Sequence, residues 1–232
     1  KKVLDLLAFH PGTARFICTK LCVRLVADKP PESIVEQAIT TWMHHQHSDD
    51  QIREVIKTIL LSDEFITSLG GKIKTPYELM MSTIRALGLN LVPKIPMKWL
   101  LNQMGYQLFS WPTPTGHPDC SDYWLNSSML LKRWNLMPVL LMSDWHKMVD
   151  FDPSDQVGPS ASSQEIVDYW LTKIMGNPTA IDVQKKTTLL SILCIENRQA
   201  EAPALFYSKE DKRYRLLQII CLILMAPEFQ VR

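Results

Sequence analysis

The chain has 232 residues, of which 46% are hydrophobic and 21% are charged. This composition excludes disorder as the default state and is typical of a globular protein with one substantial core or two small ones. The 25 basic and 24 acidic side chains nearly cancel, so no net field attracts an anionic polymer and no nucleic-acid partner is expected.

Helix boundaries are frequent along the first hundred residues. A break at His10-Pro11-Gly12 precedes the first apolar stripe at helical spacing, and 48–51 and 75–78 both have the sequence of a capping box. Gly88 is expected to end the helix that starts after Thr75. Alternating period-two runs with hairpin turns are absent from the sequence. These patterns predict an all-α fold, an irregular bundle of roughly eight to ten helices.

A loop rich in proline and aromatic residues is expected at 105–124, because three closely spaced prolines prevent a helix there. Helical character resumes at 126–143, where Pro138 predicts a kink or break near Met137. Residues 150–163 are rich in Ser, Pro and Asp and predict a flexible loop or linker. The expected domains are therefore 1–149, which includes the loop, and 164–232, whose helices pack on the same core.

The last predicted helix is strongly apolar. Its longest apolar stretch, 216–226, is interrupted by Gln218 and is shorter than the roughly 18–20 residues that a membrane-spanning helix needs. We therefore expect a buried helix at this position and no membrane-spanning segment in the chain.

Several of these segments, taken in order, form a pattern that covers nearly the whole chain. They are 10–17 (HPGTARFI), 60–65 (LLSDEF), 72–78 (KIKTPYE), 85–88 (RALG), 105–109 (GYQLF), 112–116 (PTPTG), 124–125 (WL) and 226–229 (APEF). The pattern resembles a large bacterial family known as domain of unknown function 1800. The family usually has Gly-Trp-Pro where this chain has Gly116-His117-Pro118, so an aromatic stacking role at position 117 does not carry over.

The resemblance implies features that the residues alone do not. Members look about twice as long, with the His-Pro-x-Thr-Ala stretch near their middle, so the chain is expected to be a C-terminal half. An exported, periplasmic or extracellular setting is implied too, because such proteins are often encoded beside a partner that looks exported. The resemblance implies no established activity, and whether the chain is an enzyme stays open.

The loop at 105–124 is the first candidate binding site. A proline-stiffened turn that carries Trp111, His117, Tyr123 and Trp124 presents rigid aromatic faces suited to a sugar or a peptide. The alternative is that these rings fill the space between helices, as large aromatic side chains usually do. Asp119 lies close to His117 in the sequence and adds the possibility of metal binding or general-base chemistry.

Two further groups of polar residues are candidates. His10 and Arg15 lie at a helix entrance, where they either orient a partner or, for His10, satisfy a local backbone group. His44, His45 and His47 are weak candidates for metal ligands, and the alternative is a solvated helix end whose dipole suits cationic histidines. No catalytic residue and no cofactor are predicted, because the phosphate-loop, zinc-protease and nucleophile motifs are absent from the sequence.

Three functional hypotheses follow from these patterns. The leading one is a helical interaction module that binds a protein partner or its own N-terminal half, because the helices are apolar, 11 methionines are present and catalytic motifs are missing. The second is carbohydrate or cell-surface binding through the loop at 105–124. The third is a metal-assisted hydrolase that draws ligands from the N-terminal half.

Overall fold

The computed structural model describes residues 2–90, 95–142, 151–194, 204 and 206–232. The described residues contain helices and isolated bridges but no strand, which confirms the all-α prediction. The start of the predicted linker, Asp150, lies outside the described residues. The helices are α1 (Lys2–Ala8), α2 (Pro11–Leu25), α3 (Glu32–His44), α4 (Gln51–Leu60), α5 (Asp63–Thr67), α6 (Pro76–Leu87), α7 (Ile95–Gln103), α8 (Ser121–Trp124), α9 (Ser127–Met142), α10 (Ser163–Met175), α11 (Val183–Leu193), α12 (Lys209–Met225) and α13 (Pro227–Gln230).

The first of two compact units comprises residues 1–73, 118–123 and 232. Helices α2, α3 and α4 pack around one small apolar cluster, because each carries apolar residues on one stripe. Cys18 and Cys22 of α2 are fully buried in this cluster, together with Trp42 of α3 and Ile59 of α4. The two cysteines therefore serve as small core residues.

The second unit comprises residues 74–117 and 124–231 and contains a larger apolar cluster. Helix α12 packs against α9, α10 and α11, and its apolar residues are buried on several sides. Phe151 and Val157, from the predicted linker at 150–163, are also buried in this cluster. These two units are not the predicted domains 1–149 and 164–232, and that division of the chain stays a prediction.

The capping box at Thr75 is confirmed, because the Thr75 hydroxyl accepts from the Glu78 N–H and the Glu78 carboxylate accepts from the Thr75 N–H. Gly88 ends α6 with a φ of 65°, a left-handed conformation that glycine adopts without strain. A second box, between Ser162 and Glu165, starts α10.

One local prediction is wrong, and one is wrong in part. The Ser48 hydroxyl donates to Asp50 instead of capping, and Gln51 donates to the Trp42 carbonyl at 3.0 Å, so no box starts α4. At Pro138 the predicted break does not occur, because α9 continues past it to Met142, whereas a kink near Met137 stays a prediction. The buried positions Met137 and Leu141 on either side hold α9 in the core despite the missing hydrogen bond.

Candidate functional site

Trp111, His117 and Trp124 of the predicted loop site form one aromatic cluster of the second unit, together with Tyr106. The imidazole of His117 stacks on the Tyr106 ring, with centroids 3.9 Å apart and an interplanar angle of 2°. The Trp111 ring lies 4.5 Å from His117, and its indole N–H donates to the Thr113 hydroxyl at 3.0 Å. The rings therefore hold one another in place.

Exposure within this loop differs from what glycan stacking needs. Trp124 is 1% exposed, so its ring does not present a face to solvent. The most exposed aromatic of the loop is Phe109, at 97%, and its φ of 58° lies in the left-handed region that bulky side chains rarely adopt. The exposure of Phe109 was not predicted, since nothing in its immediate sequence marks a positive φ.

Asp119 and Tyr123 belong to the first unit, whereas Trp111, His117 and Trp124 belong to the second. Tyr123 is 45% exposed. Asp119 pairs with Arg24 at 3.2 Å and with Arg232 at 3.4 Å. Asp119 is therefore part of an ion-pair network in the first unit, and all its roles as a ligand or base stay predictions.

Lys72 is the centre of that network and is only 3% exposed. Its ammonium group donates to the Asp28 carboxylate at 2.6 Å, to the Val23 carbonyl at 2.8 Å and to the Asp119 carbonyl at 3.3 Å. The other oxygen of Asp28 accepts from the Ser121 N–H at 2.7 Å. Burial alone would raise the pKa of Asp28, but the bonds from Lys72 and Ser121 outweigh it and hold the pKa below its usual range.

Two cationic side chains, Arg133 and Lys74, lie close together in the second unit. Arg133 is 1% exposed and donates to Gln230 at 2.8 Å and to the Lys74 carbonyl at 2.7 Å. The Lys74 ammonium donates to the Phe229 carbonyl at 2.7 Å and lies 4.0 Å from the centre of the Phe229 ring. Burial, which outweighs the nearby Glu78 and is reinforced by Arg133, lowers the pKa of Lys74 to about 8.

The lowered pKa of Lys74 predicts a pH dependence of stability. Between about pH 8 and the ordinary pKa of 10.5, Lys74 is mostly protonated in the unfolded chain and mostly deprotonated in the folded chain. Across that window the free energy of unfolding of the wild type is expected to rise, relative to Lys74→Met, by about 2 kcal/mol once partial exposure to solvent is allowed for. Denaturant melts at pH 8, 9 and 10 measure this difference.

The matched control for Lys74→Met is Lys98→Met, which changes an exposed lysine of the same unit. The difference between the wild type and Lys98→Met should stay constant over the same pH range. A difference between the wild type and Lys74→Met that is flat, or that falls as pH rises, would contradict the buried position of the Lys74 ammonium group.

The remaining predicted residues lie in the first unit and make local contacts. His10 caps α2, because its Nδ1 accepts from the Gly12 N–H at 3.0 Å. Arg15 forms ion pairs with Glu32, at 2.8 Å, and with Glu36. These bonds occupy both side chains, and partner contacts at either of them stay a prediction.

The three histidines near the end of α3 do not converge. The rings of His44 and His45 meet edge to face at 4.7 Å, whereas His47 lies 4.7 Å from Phe9. Within the described ranges, no group of three His, Cys, Asp or Glu side chains is arranged to hold a metal ion. Metal binding by these histidines stays a prediction.

An exposed apolar helix, α1, was not identified from the sequence as a site. It buries none of its residues, and Val3, Leu4, Leu6 and Leu7 are between 57% and 70% exposed. These four side chains and Phe9, which is 42% exposed, are called the α1 surface below. At 100° per residue the four aliphatic side chains share one broad face of α1, with Asp5 opposite.

Comparisons with known proteins identify the family of the chain but no activity. No curated protein and no solved structure matched the sequence. No helix in the described part of the chain is long and apolar enough to cross a membrane. A family model described as "Protein of unknown function (DUF1800)" matches residues 1–231. The chain therefore belongs to the DUF1800 family.

Proposed function

We propose that the chain is a helical interaction module that binds a protein surface through the α1 surface. The observation that supports this proposal is the exposure of Val3, Leu4, Leu6 and Leu7 on a helix that buries none of its residues. Contiguous exposed apolar side chains of this kind are typical of protein contact sites. We place the groove that receives them on a separate protein; packing of the α1 surface against the N-terminal half that the family resemblance implies is the alternative.

The length of α1 adds to this argument. A helix of seven residues is marginal in water, because nucleation of the first turn is unfavourable and few hydrogen bonds follow it. Bonds from the next segment hold its end, since the Thr13 hydroxyl and the His10 N–H both donate to the Leu7 carbonyl. An apolar groove that covered the α1 surface would stabilise the helix and gain roughly 1.5–3 kcal/mol for each fully buried leucine.

The alternatives receive less support from the described residues. Glycan binding through the loop at 105–124 relied on the rings of Trp111 and Trp124, but Trp124 is buried and the Trp111 indole N–H is bonded to Thr113. A metal-assisted hydrolase would have to draw its ligands from the N-terminal half, because the part of the chain that the structure describes does not assemble a metal-binding group. Binding of a protein through α1 needs neither exposed tryptophan rings nor a set of metal ligands.

Site-specific photo-cross-linking in the native cell tests this proposal. Leu4→p-benzoylphenylalanine places the reactive ketone on the α1 surface, and Gln37→p-benzoylphenylalanine places it on an exposed polar position of α3 in the same unit. We expect one polypeptide to dominate the products from position 4 and to be absent from position 37. The same mixture of products at both positions would contradict the proposal, and so would no product from position 4 or products that join position 4 only to another segment of the same polypeptide.

A further inference from the structure

The second unit contains a cavity of about 380 Å³ that the proposed function does not use. Side chains from α9, α11, α12 and the start of α13 line it, and it is open to solvent, since Trp134 and Leu222 are 38% and 40% exposed. Its size falls within the range of roughly 300–1,000 Å³ that is usual for small-molecule sites. The ring of Trp134 and the side chains of Leu189, Leu222 and Met225 form most of its wall.

The polar groups that line the cavity are already bonded to the protein. The Trp134 indole N–H donates to the Met225 carbonyl at 3.2 Å, and the Thr188 hydroxyl donates to the Gln184 carbonyl at 3.1 Å. A ligand therefore finds an apolar wall and few unused donors. Because a polar ligand group would lose its hydrogen bonds to water without replacement, this lining favours an alkyl chain.

Charge at one edge of the cavity restricts the head group of such a ligand. Lys185 lines the cavity, and its ammonium group pairs with Glu228 at 2.5 Å and with Asp182 at 3.1 Å. The two carboxylates, which do not themselves line the cavity, and the ammonium group together carry a net charge of about −1 beside this edge. A ligand carboxylate would be repelled there, whereas an uncharged or cationic head group would not.

We propose that this cavity binds the alkyl chain of a small amphiphile whose head group is not anionic. The site is independent of the α1 surface, because the cavity lies in the second unit and α1 lies in the first. Failure of one proposal therefore leaves the other standing.

Two neighbouring threonines of α11 provide a matched pair of variants. Thr188 lines the cavity and Thr187 does not, yet both are exposed and both hydroxyls bond to the carbonyl four residues earlier. Thr188→Trp places a large ring into the cavity, and Thr187→Trp places the same ring at the neighbouring exposed position. Thermal melts of both variants establish that each is folded before ligands are compared.

Isothermal titration of the whole chain with 1-octanol, octylamine and sodium octanoate tests the proposal. We expect 1-octanol and octylamine to bind the wild type and Thr187→Trp, with octanoate weaker by about 10-fold or more. Thr188→Trp should abolish binding of all three, and Glu228→Gln should bring octanoate to within about 3-fold of 1-octanol. No binding of 1-octanol to the wild type, equal binding by both Trp variants, or octanoate binding as tightly as 1-octanol would each overturn the proposal.

Discussion

Lys72→Met is expected to lower the free energy of unfolding by about 3–5 kcal/mol, because it removes one partner of a buried ion pair. Three hydrogen bonds of the Lys72 ammonium group are lost, and the Asp28 carboxylate keeps the hydrogen bond from the Ser121 N–H. Urea denaturation followed by circular dichroism measures the loss. Lys57→Met is the matched control, since the Lys57 side chain is 63% exposed, and should cost under about 0.5 kcal/mol.

A double-mutant cycle separates the ion pair from the loss of packing. The double variant Lys72→Met with Asp28→Asn should lose less free energy of unfolding than the two single variants lose together, because Asp28→Asn removes the charge that Lys72→Met leaves uncompensated. The pKa of Asp28 lies below its ordinary value of 3.8, so its contribution to stability is present above that pH and is lost on acidification through the lowered pKa. Strict additivity of the two changes would contradict the buried ion pair between Lys72 and Asp28. A loss for Lys72→Met no larger than that for Lys57→Met would contradict it too.

Trp124→Ala is expected to lower the free energy of unfolding by about 3–5 kcal/mol, since Trp124 is 1% exposed and the substitution leaves a cavity beside Tyr106 and His117. Trp111→Ala should cost about 1 kcal/mol, because Trp111 is only half-buried. Thermal and denaturant melts of the two variants measure the difference. A negligible loss for Trp124→Ala would show that this ring is available for ligand binding instead.

The sequence predicts best what depends on neighbouring residues. The box of Thr75 and Glu78 and the left-handed Gly88 were predictable, because each involves at most four consecutive residues. The apparent box at Ser48 failed because Asp50, two residues later, accepts the Ser48 hydroxyl, and Gln51 bonds to a carbonyl of the preceding helix. Competing partners of this kind are set by the tertiary structure, which a local pattern does not contain.

The candidate sites were harder to predict, because their contacts join distant parts of the chain. Lys72 stands in the sequence only as the first residue of the segment 72–78, yet its partners Asp28 and Asp119 lie 44 and 47 residues away. Arg133 bonds to Gln230 across 97 residues. The α1 surface was missed for the opposite reason. Apolar residues in a helix usually indicate burial, and only the structure shows that α1 buries none of its residues.

The affinity for the polypeptide that cross-links at position 4 tests the central proposal most directly. Leu4→Glu combined with Leu7→Glu should weaken its binding by about 100-fold or more without changing the melting temperature, because both leucines are exposed in the free chain and are expected to be buried in the complex. Gln37→Glu should leave the dissociation constant within about 2-fold of the wild type. A double variant that folds normally and binds the same polypeptide as tightly as the wild type would contradict the assignment of α1 as the docking helix.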